Sequence, residues 1–348
     1  MPWYQKEKQI PQHTSINSSP IIVGISQSEE TSPAAVDRIS KLPNEILCHI
    51  LSFLPIKQAF TTTILSKRWY PISYSLTVLR FDDATVADYD SFNRFCRFID
   101  TLILSDQQQH QIKTFSFKCR FEFYEDNRRM NDIKKILKAC PNLEDLHTSY
   151  PRYIRRCEKD NNEAGEFGSL FLSKLVKADI GSIDVPFNVI YNVEFLRLLK
   201  VQEPSLQMDT EIFKDIPVFG NLIHIELWFY GFFHGWDGVV QLLQHCPKLQ
   251  ILYMRKWNAS LSKDWDCPIS DLECVSSHLK SCTILNFEGS ENDLRFAKYI
   301  LQNARHLEVM TIDVSTSSSD GTRKHQIIEE LSTCPRMSSG CKLSFELM

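Results

Sequence analysis

The chain has 348 residues, 39 of them basic and 43 acidic, and its formal charge of −4 gives no reason to expect a protein that wraps nucleic acid or binds an anionic membrane. Hydrophobic residues make up 43% and charged residues 24%, the composition of a soluble globular protein of about two domains, and the longest early apolar run, Pro20 to Ile25, is far too short to span a bilayer. Eleven cysteines spread over the whole chain suit buried free thiols in a reducing compartment better than a disulfide scaffold, and eleven glycines are few for nucleotide-binding loops.

Residues 1–36 are rich in Gln, Ser, Pro, Glu and Lys and are expected to form a disordered leader with no secretory signal. Pattern begins at Asp37. Between Leu42-Pro43 and Pro55, the residues Ile46, Leu47, Ile50, Leu51 and Leu54 recur at helical spacing and cover an arc of roughly 140°. That band is wider than one packing seam needs. Pro43 suits the first turn of this helix, a second short helix is expected over Ile56 to Thr63, and Ser66 is expected to cap a third. Three short helices make a small core, so the surplus apolar surface either meets a partner or packs the unit against the rest of the chain.

From Ile112 onward one motif recurs. Amphipathic stretches end in a Cys-Pro-like turn at Cys140-Pro141, Cys246-Pro247 and Cys334-Pro335, with Ala304 taking the cysteine position in a fourth copy. Strands of L-x-x-L-x-L form are expected to start at Ile112, Leu143, Leu172, Val193, Leu222, Leu249, Cys282 and Leu307, with a mean spacing of about 28 residues, inside the range of leucine-rich repeats. The predicted fold class is α/β: a small N-terminal helical unit followed by an irregular solenoid with a parallel sheet on its concave side. Strand alternation turns the apolar positions inward and leaves Ser116, His147, Arg197, Glu226, Tyr253, Asn286 and Thr311 on the concave face. This chemically mixed column suits a protein or peptide target and is not the basic groove that tracks phosphates.

The combination Leu42-Pro43, Ile46-Leu47, Ile50-Leu51, Leu54-Pro55, Ala59 and Leu65-Ser66-Lys67-Arg68-Trp69 resembles a plant F-box. A second stretch, with Trp265-Asp266-Cys267-Pro268, Phe287-Glu288-Gly289 and Phe296 to Ala304 followed by Leu307, resembles the FBD region. The chain is therefore similar to plant F-box/FBD/LRR-repeat proteins, with the F-box at 37–80, leucine-rich repeats at 81–264, and the FBD region continuing the solenoid at 265–348. The resemblance implies a substrate-recognition subunit of an SCF-type cullin-RING ubiquitin ligase, itself not an enzyme. Its partners would be a Skp-family adaptor and, through it, cullin and a RING protein, together with an unidentified target, in cytoplasm or nucleus. Leu42, Pro43, Ile46, Leu47, Ile50 and Leu51 are expected to supply the apolar docking face, with Leu65, Lys67, Arg68 and Trp69 at its margin, and the concave column is expected to bind the target. The chain departs from the family pattern at Thr61, where members often carry Arg, and at Ile72-Ser73, where they often carry Leu-Trp. These departures motivate an alternative, a non-ligase repeat scaffold with a degenerate F-box.

No C-x-x-C occurs and Cys267, Cys274 and Cys282 are too widely spaced for a usual zinc site, so no metal or other cofactor is expected. P-loop, dinucleotide, hydrolase-elbow and zincin motifs are all absent. The aromatic and basic run Tyr150 to Arg156 and the Gln107-Gln108-Gln109 stretch read as solvated loops.

Overall fold

The computed structural model describes residues 38–84, 86–103, 111–118, 135–149, 170–181, 185–201, 216–229, 236–256, 272–314 and 321–346. The expected leader and the two expected loops, at 107–109 and 150–156, lie outside them. The chain divides into two units at Leu42/Pro43. In the first, the Leu42 N–H donates to the Ile39 carbonyl at 3.0 Å, closing a turn.

The second unit begins with three helices, α1 (Asn44–Ser52), α2 (Ile56–Thr61) and α3 (Trp69–Tyr74). Pro43 and Pro55 precede α1 and α2 with φ of −54° and −52°, the ring-fixed value that directs a chain into a helix without needing an N–H. At the end of α2 and just beyond it, Thr61, Thr62 and Thr63 each donate a hydroxyl hydrogen bond to the carbonyl three residues back, at 2.6 to 2.7 Å. This competition with the backbone tightens residues Thr62–Ile64 into a 3₁₀ turn where the sequence suggests continued helix. Ser66 does not cap α3 with its side chain as expected; Arg68 occupies the cap position, and Ser66 contributes only its carbonyl, to the Trp69 N–H. Leu47, Leu51, Ile56, Ala59, Trp69, Ile72 and Leu76 form the buried core of these helices. Ser73 is fully buried among them and donates its hydroxyl to the Trp69 carbonyl at 2.9 Å.

Ten parallel strands then follow in strict sequence order. They are β1 (Val78–Asp82), β2 (Thr114–Lys118), β3 (Asp145–Ser149), β4 (Lys177–Ile180), β5 (Phe195–Val201), β6 (His224–Phe229), β7 (Ile251–Lys256), β8 (Ser281–Phe287), β9 (Val309–Val314) and β10 (Lys342–Glu346). At the entrance to most strands a single carbonyl accepts two successive N–H groups of the next strand. Glu144 serves Val176 and Lys177 at 2.9 and 3.0 Å, and Gln250 serves Lys280 and Ser281 at 2.8 and 3.0 Å. The repeating pattern satisfies backbone groups that would otherwise be stranded at the sheet rim.

The apolar positions of each strand stack in register, Leu79, Phe115, Leu146, Ala178, Leu196, Ile225, Leu252, Cys282, Met310 and Leu343 forming one line. This line shifts two of the expected starts by three residues, from Leu172 to Leu175 and from Cys282 to Leu279. Leu172 is instead a turn residue whose carbonyl accepts the Leu175 N–H, as that of Cys140 accepts the Leu143 N–H. Cys140, Cys246 and Ala304 are completely buried at equivalent turns and Cys334 nearly so, in keeping with a packing role. Burial pushes the Cys140, Cys274 and Cys282 thiols up to about 12.

Helix α4 (Tyr89–Ile103) connects β1 to β2 and buries Phe92, Phe95, Ile99, Leu102 and Ile103. Aromatic edge contacts of 5.1 to 6.4 Å run from Tyr74 through Phe60 and Phe98 to Phe81 and Phe95, joining the N-terminal helices to the first strand. Further along lie α5 (Phe187–Ile190), α6 (Asp237–Gln244), α7 (Glu273–Ser277), α8 (Glu291–Asn303) and α9 (Gly321–Ser332).

Helix α8 starts with a capping box in which Ser290 and Asp293 satisfy one another's backbone N–H groups. The other carboxylate oxygen of Asp293 lies 2.6 Å from Nζ of Lys256, and both side chains are 1% exposed. Beside them, Trp236 stacks on Phe296 with ring centres 3.9 Å apart. Gly289, just before the cap, has φ of +71°, and a Cβ there would sit 2.2 Å from Cδ1 of Ile327.

Candidate functional site

The wide apolar band of α1 splits into two stripes. Leu47 and Leu51 are 0% and 1% exposed and face the core, whereas Ile46 and Ile50, one residue earlier on the same turns, are 46% and 41% exposed. Phe53, 74% exposed, and Leu54 continue the outer stripe at i+7 and i+8 from Ile46. Ile64 and Leu65 add exposed apolar surface at the turn after α2. Together these side chains leave large apolar groups uncovered along α1 and at the turns that follow α1 and α2.

Of the residues expected to dock an adaptor, Pro43, Ile46, Ile50, Leu65 and Lys67 are exposed in the second unit, while Leu42 is half-buried in the first. Leu47, Leu51 and Trp69 are buried and belong to the core, which removes them from a direct docking face. Arg68 is half-buried, and its Nε and Nη2 donate to Oδ1 of Asn44 at 3.0 and 2.8 Å, tying the loop before α3 to the start of α1. Phe53 and Ile64 were not among the expected residues; their signal was apolar character just beyond a helix end.

A second arrangement lies on the sheet. Arg80, Ser116, His147, Asp179, Arg197, Glu226, Tyr253, Thr283, Thr311 and Ser344 are paired in register across all ten strands. Six of the seven expected column residues are on this line. Asn286 is not: Thr283 occupies its place, because the strand start is Leu279 rather than Cys282. Asn286 instead adopts φ of 55° and donates its side-chain amide to the Lys256 carbonyl. Asp179 joins the column unforeseen, for the corresponding reason at Leu172.

The centre of the column is a chain of charged hydrogen bonds. His147 Nδ1 lies 2.8 Å from Asp179 Oδ2, which also accepts from Arg197 Nη1 at 2.9 Å. Arg197 in turn donates Nε and Nη2 to the two oxygens of Glu226 at 2.6 and 3.2 Å, a bidentate pair. Burial opposes ionisation of Asp179, but the hydrogen bonds and charges of His147 and Arg197 outweigh it and hold the carboxyl below its ordinary value. The Glu226 hydrogen bonds raise Arg197, while burial lowers His224, 3.4 Å from Glu226. Aromatic groups flank the chain. Arg197 lies 5.5 Å from the Phe195 ring centre, Arg255 lies 5.2 Å from Trp228, and Trp228 tilts against Tyr253 at 6.4 Å. Among the described residues no group of three or more His, Cys, Asp or Glu gathers to hold a metal ion, and no helix is long and apolar enough to cross a membrane.

The chain thus combines a three-helix unit bearing an uncovered apolar stripe with a sequentially ordered parallel sheet of ten strands. Residues 39–81 match the F-box domain and residues 268–312 match FBD. A relative in Arabidopsis thaliana with an F-box protein name is 31% identical over 308 residues, covering 80% of this chain and 71% of its own. An F-box/FBD/LRR-repeat protein of the same plant is 24% identical over 437 residues, covering 89% of this chain and 100% of its own. A probable FBD-associated F-box protein, also from Arabidopsis thaliana, is 26% identical over 352 residues, covering 89% and 97%. The chain belongs to the F-box family, carries an FBD segment, and is similar over most of its length to F-box/FBD/LRR-repeat proteins.

Proposed function

We propose that this chain is the substrate-recognition subunit of an SCF-type cullin-RING ubiquitin ligase. The observation that carries the reading is the outer stripe of α1, Ile46, Ile50, Phe53 and Leu54, left uncovered within a segment that matches the F-box domain. This stripe, with Pro43, Ile64, Leu65 and Lys67, docks a Skp-family adaptor, and through it cullin and a RING protein. The ten-strand sheet is an irregular leucine-rich-repeat solenoid whose column from His147 to Tyr253 receives the target protein. The mechanism is proximity: holding the target beside a charged conjugating enzyme raises the effective concentration of its lysines, with no catalytic residue in this chain. The complex works in cytoplasm or nucleus.

The test is co-purification of the full chain with a panel of Skp-type adaptors and cullin. Capture of at least one adaptor together with cullin is the expected result. A folded chain that captures none of them is a repeat scaffold with a degenerate F-box.

A further inference from the structure

The two edges of the ten-strand sheet differ. At the first, Arg80 of β1 donates to the Ser52 carbonyl of α1 at 3.3 Å, and the inward side chains Leu79 and Phe81 are 0% and 1% exposed. At the last, β10 has β9 as its one hydrogen-bonded neighbour among the described residues. Its inward side chains Leu343 and Phe345 are only half-buried, although their register partners on β9, Met310 and Ile312, are completely buried. Lys342, Ser344 and Glu346 alternate with them and are exposed.

The backbone determines which groups this open edge presents. The Lys342 N–H donates to the Glu308 carbonyl at 2.9 Å, toward β9. Alternate residues of a strand turn their backbone groups to opposite neighbours, so Ser344 and Glu346 also face β9, while Leu343 and Phe345 direct N–H and C=O outward. Such an edge is a template for a further strand.

The side chains decide which strand fits. Lys342-Leu343-Ser344-Phe345-Glu346 is complementary to itself when read in the opposite direction. In an antiparallel pair centred on Ser344, Leu343 exchanges both hydrogen bonds with Phe345 of the second copy, and the two-fold axis repeats the exchange, so every outward backbone group is satisfied. Lys342 then stands opposite Glu346 of the second copy at a non-hydrogen-bonded position, where side chains approach most closely. We propose that β10 is a homodimerisation edge, at which two copies of this chain pair antiparallel about Ser344. The strand alternation places both Lys342–Glu346 pairs on the concave side and brings the half-buried Leu343 and Phe345 of each copy together across the seam. The outer stripe of α1 and the first strand, at the other end of the strand order, take no part.

Sedimentation velocity of the full chain over about 1 to 200 µM tests the proposal, because a strand pair this short lies at the weak end of interfaces and is expected to dissociate in the micromolar range. The parent is expected to pass from monomer to dimer within that span. Lys342→Glu and Glu346→Lys each set like charges opposite one another at both ends of the pair, and each is expected to weaken the dimer at least about tenfold. The combined variant restores opposite charges and is expected to recover the parent's affinity to within about threefold. The chain carries a net charge of −4, so net charge alone would have Glu346→Lys strengthen association and cannot produce this pattern. Both positions are exposed, and an unchanged unfolding midpoint establishes that the variants fold. A parent that stays monomeric throughout, a dimer unmoved by either single change, or no recovery in the folded combined variant overturns the proposal.

Discussion

Ile46 and Leu47 are neighbours of similar size and opposite environment, and substitutions separate their roles. Leu47→Ala empties a fully buried position and is expected to cost about 2–5 kcal/mol in urea unfolding, whereas Ile46→Ala should change stability by no more than about 0.5 kcal/mol. Equal costs would contradict the split of the α1 band. Lys256 is a different case. Its replacement by Met strands the Asp293 carboxylate in a dry site and is expected to destabilise by about 3–5 kcal/mol. Asp179 has a lowered folded-state value, so its contribution to stability is present above the unfolded value of about 3.9 and is lost as pH falls through the folded one. Asp179→Asn should therefore flatten the acid limb of a stability profile below about pH 4 relative to the parent. An acid limb of unchanged steepness would count against the His147–Asp179–Arg197 chain.

At the scale of elements, much of the strand pattern was legible because L-x-x-L-x-L records which side chains face inward. The pattern failed where an equally apolar residue stood three positions away. Leu172 mimics a strand start but serves the turn, and the short β4 presents Ala178 where a leucine was expected, so Asp179 was passed over. At β8 the same slip promoted Asn286 in place of Thr283. β10 escaped notice because Gly340 stands where its leading apolar residue would be, leaving only Leu343 with Phe345, whereas β1 carries the full spacing in Leu76, Leu79 and Phe81 and was passed over beside the N-terminal helices. Helix α4 carried a readable signal in the spacing of Phe92, Phe95 and Ile99. In α1, periodicity identified the apolar band but not which stripe is covered, because that depends on α3 and on residues distant in sequence. Gly289 adds a backbone requirement invisible to hydrophobic patterning. Gly289→Ala combines a left-handed φ with an overlap on Ile327 and is expected to lower stability by more than about 1 kcal/mol.

For the whole molecule, the two surfaces are joined through one continuous interior. The aromatic path from Phe60 and Tyr74 to Phe81 and Phe95 packs the F-box helices onto the first strand and α4, and β1 begins inside the segment that matches the F-box. A deletion of residues 37–80 would remove half of β1 and expose the edge of β2, so loss of binding after such a deletion would report damage to the sheet as readily as loss of the docking stripe. Point changes on the outer stripe leave the sheet intact. The most direct measurement is the affinity of the full chain for the Skp-type adaptor it captures, compared with that of Ile46→Asp combined with Ile50→Asp. Both positions are exposed, so the variant is expected to keep the parent's unfolding midpoint within a few degrees and to lose adaptor affinity at least about a hundredfold. A folded variant that binds the adaptor as tightly as the parent would contradict the account.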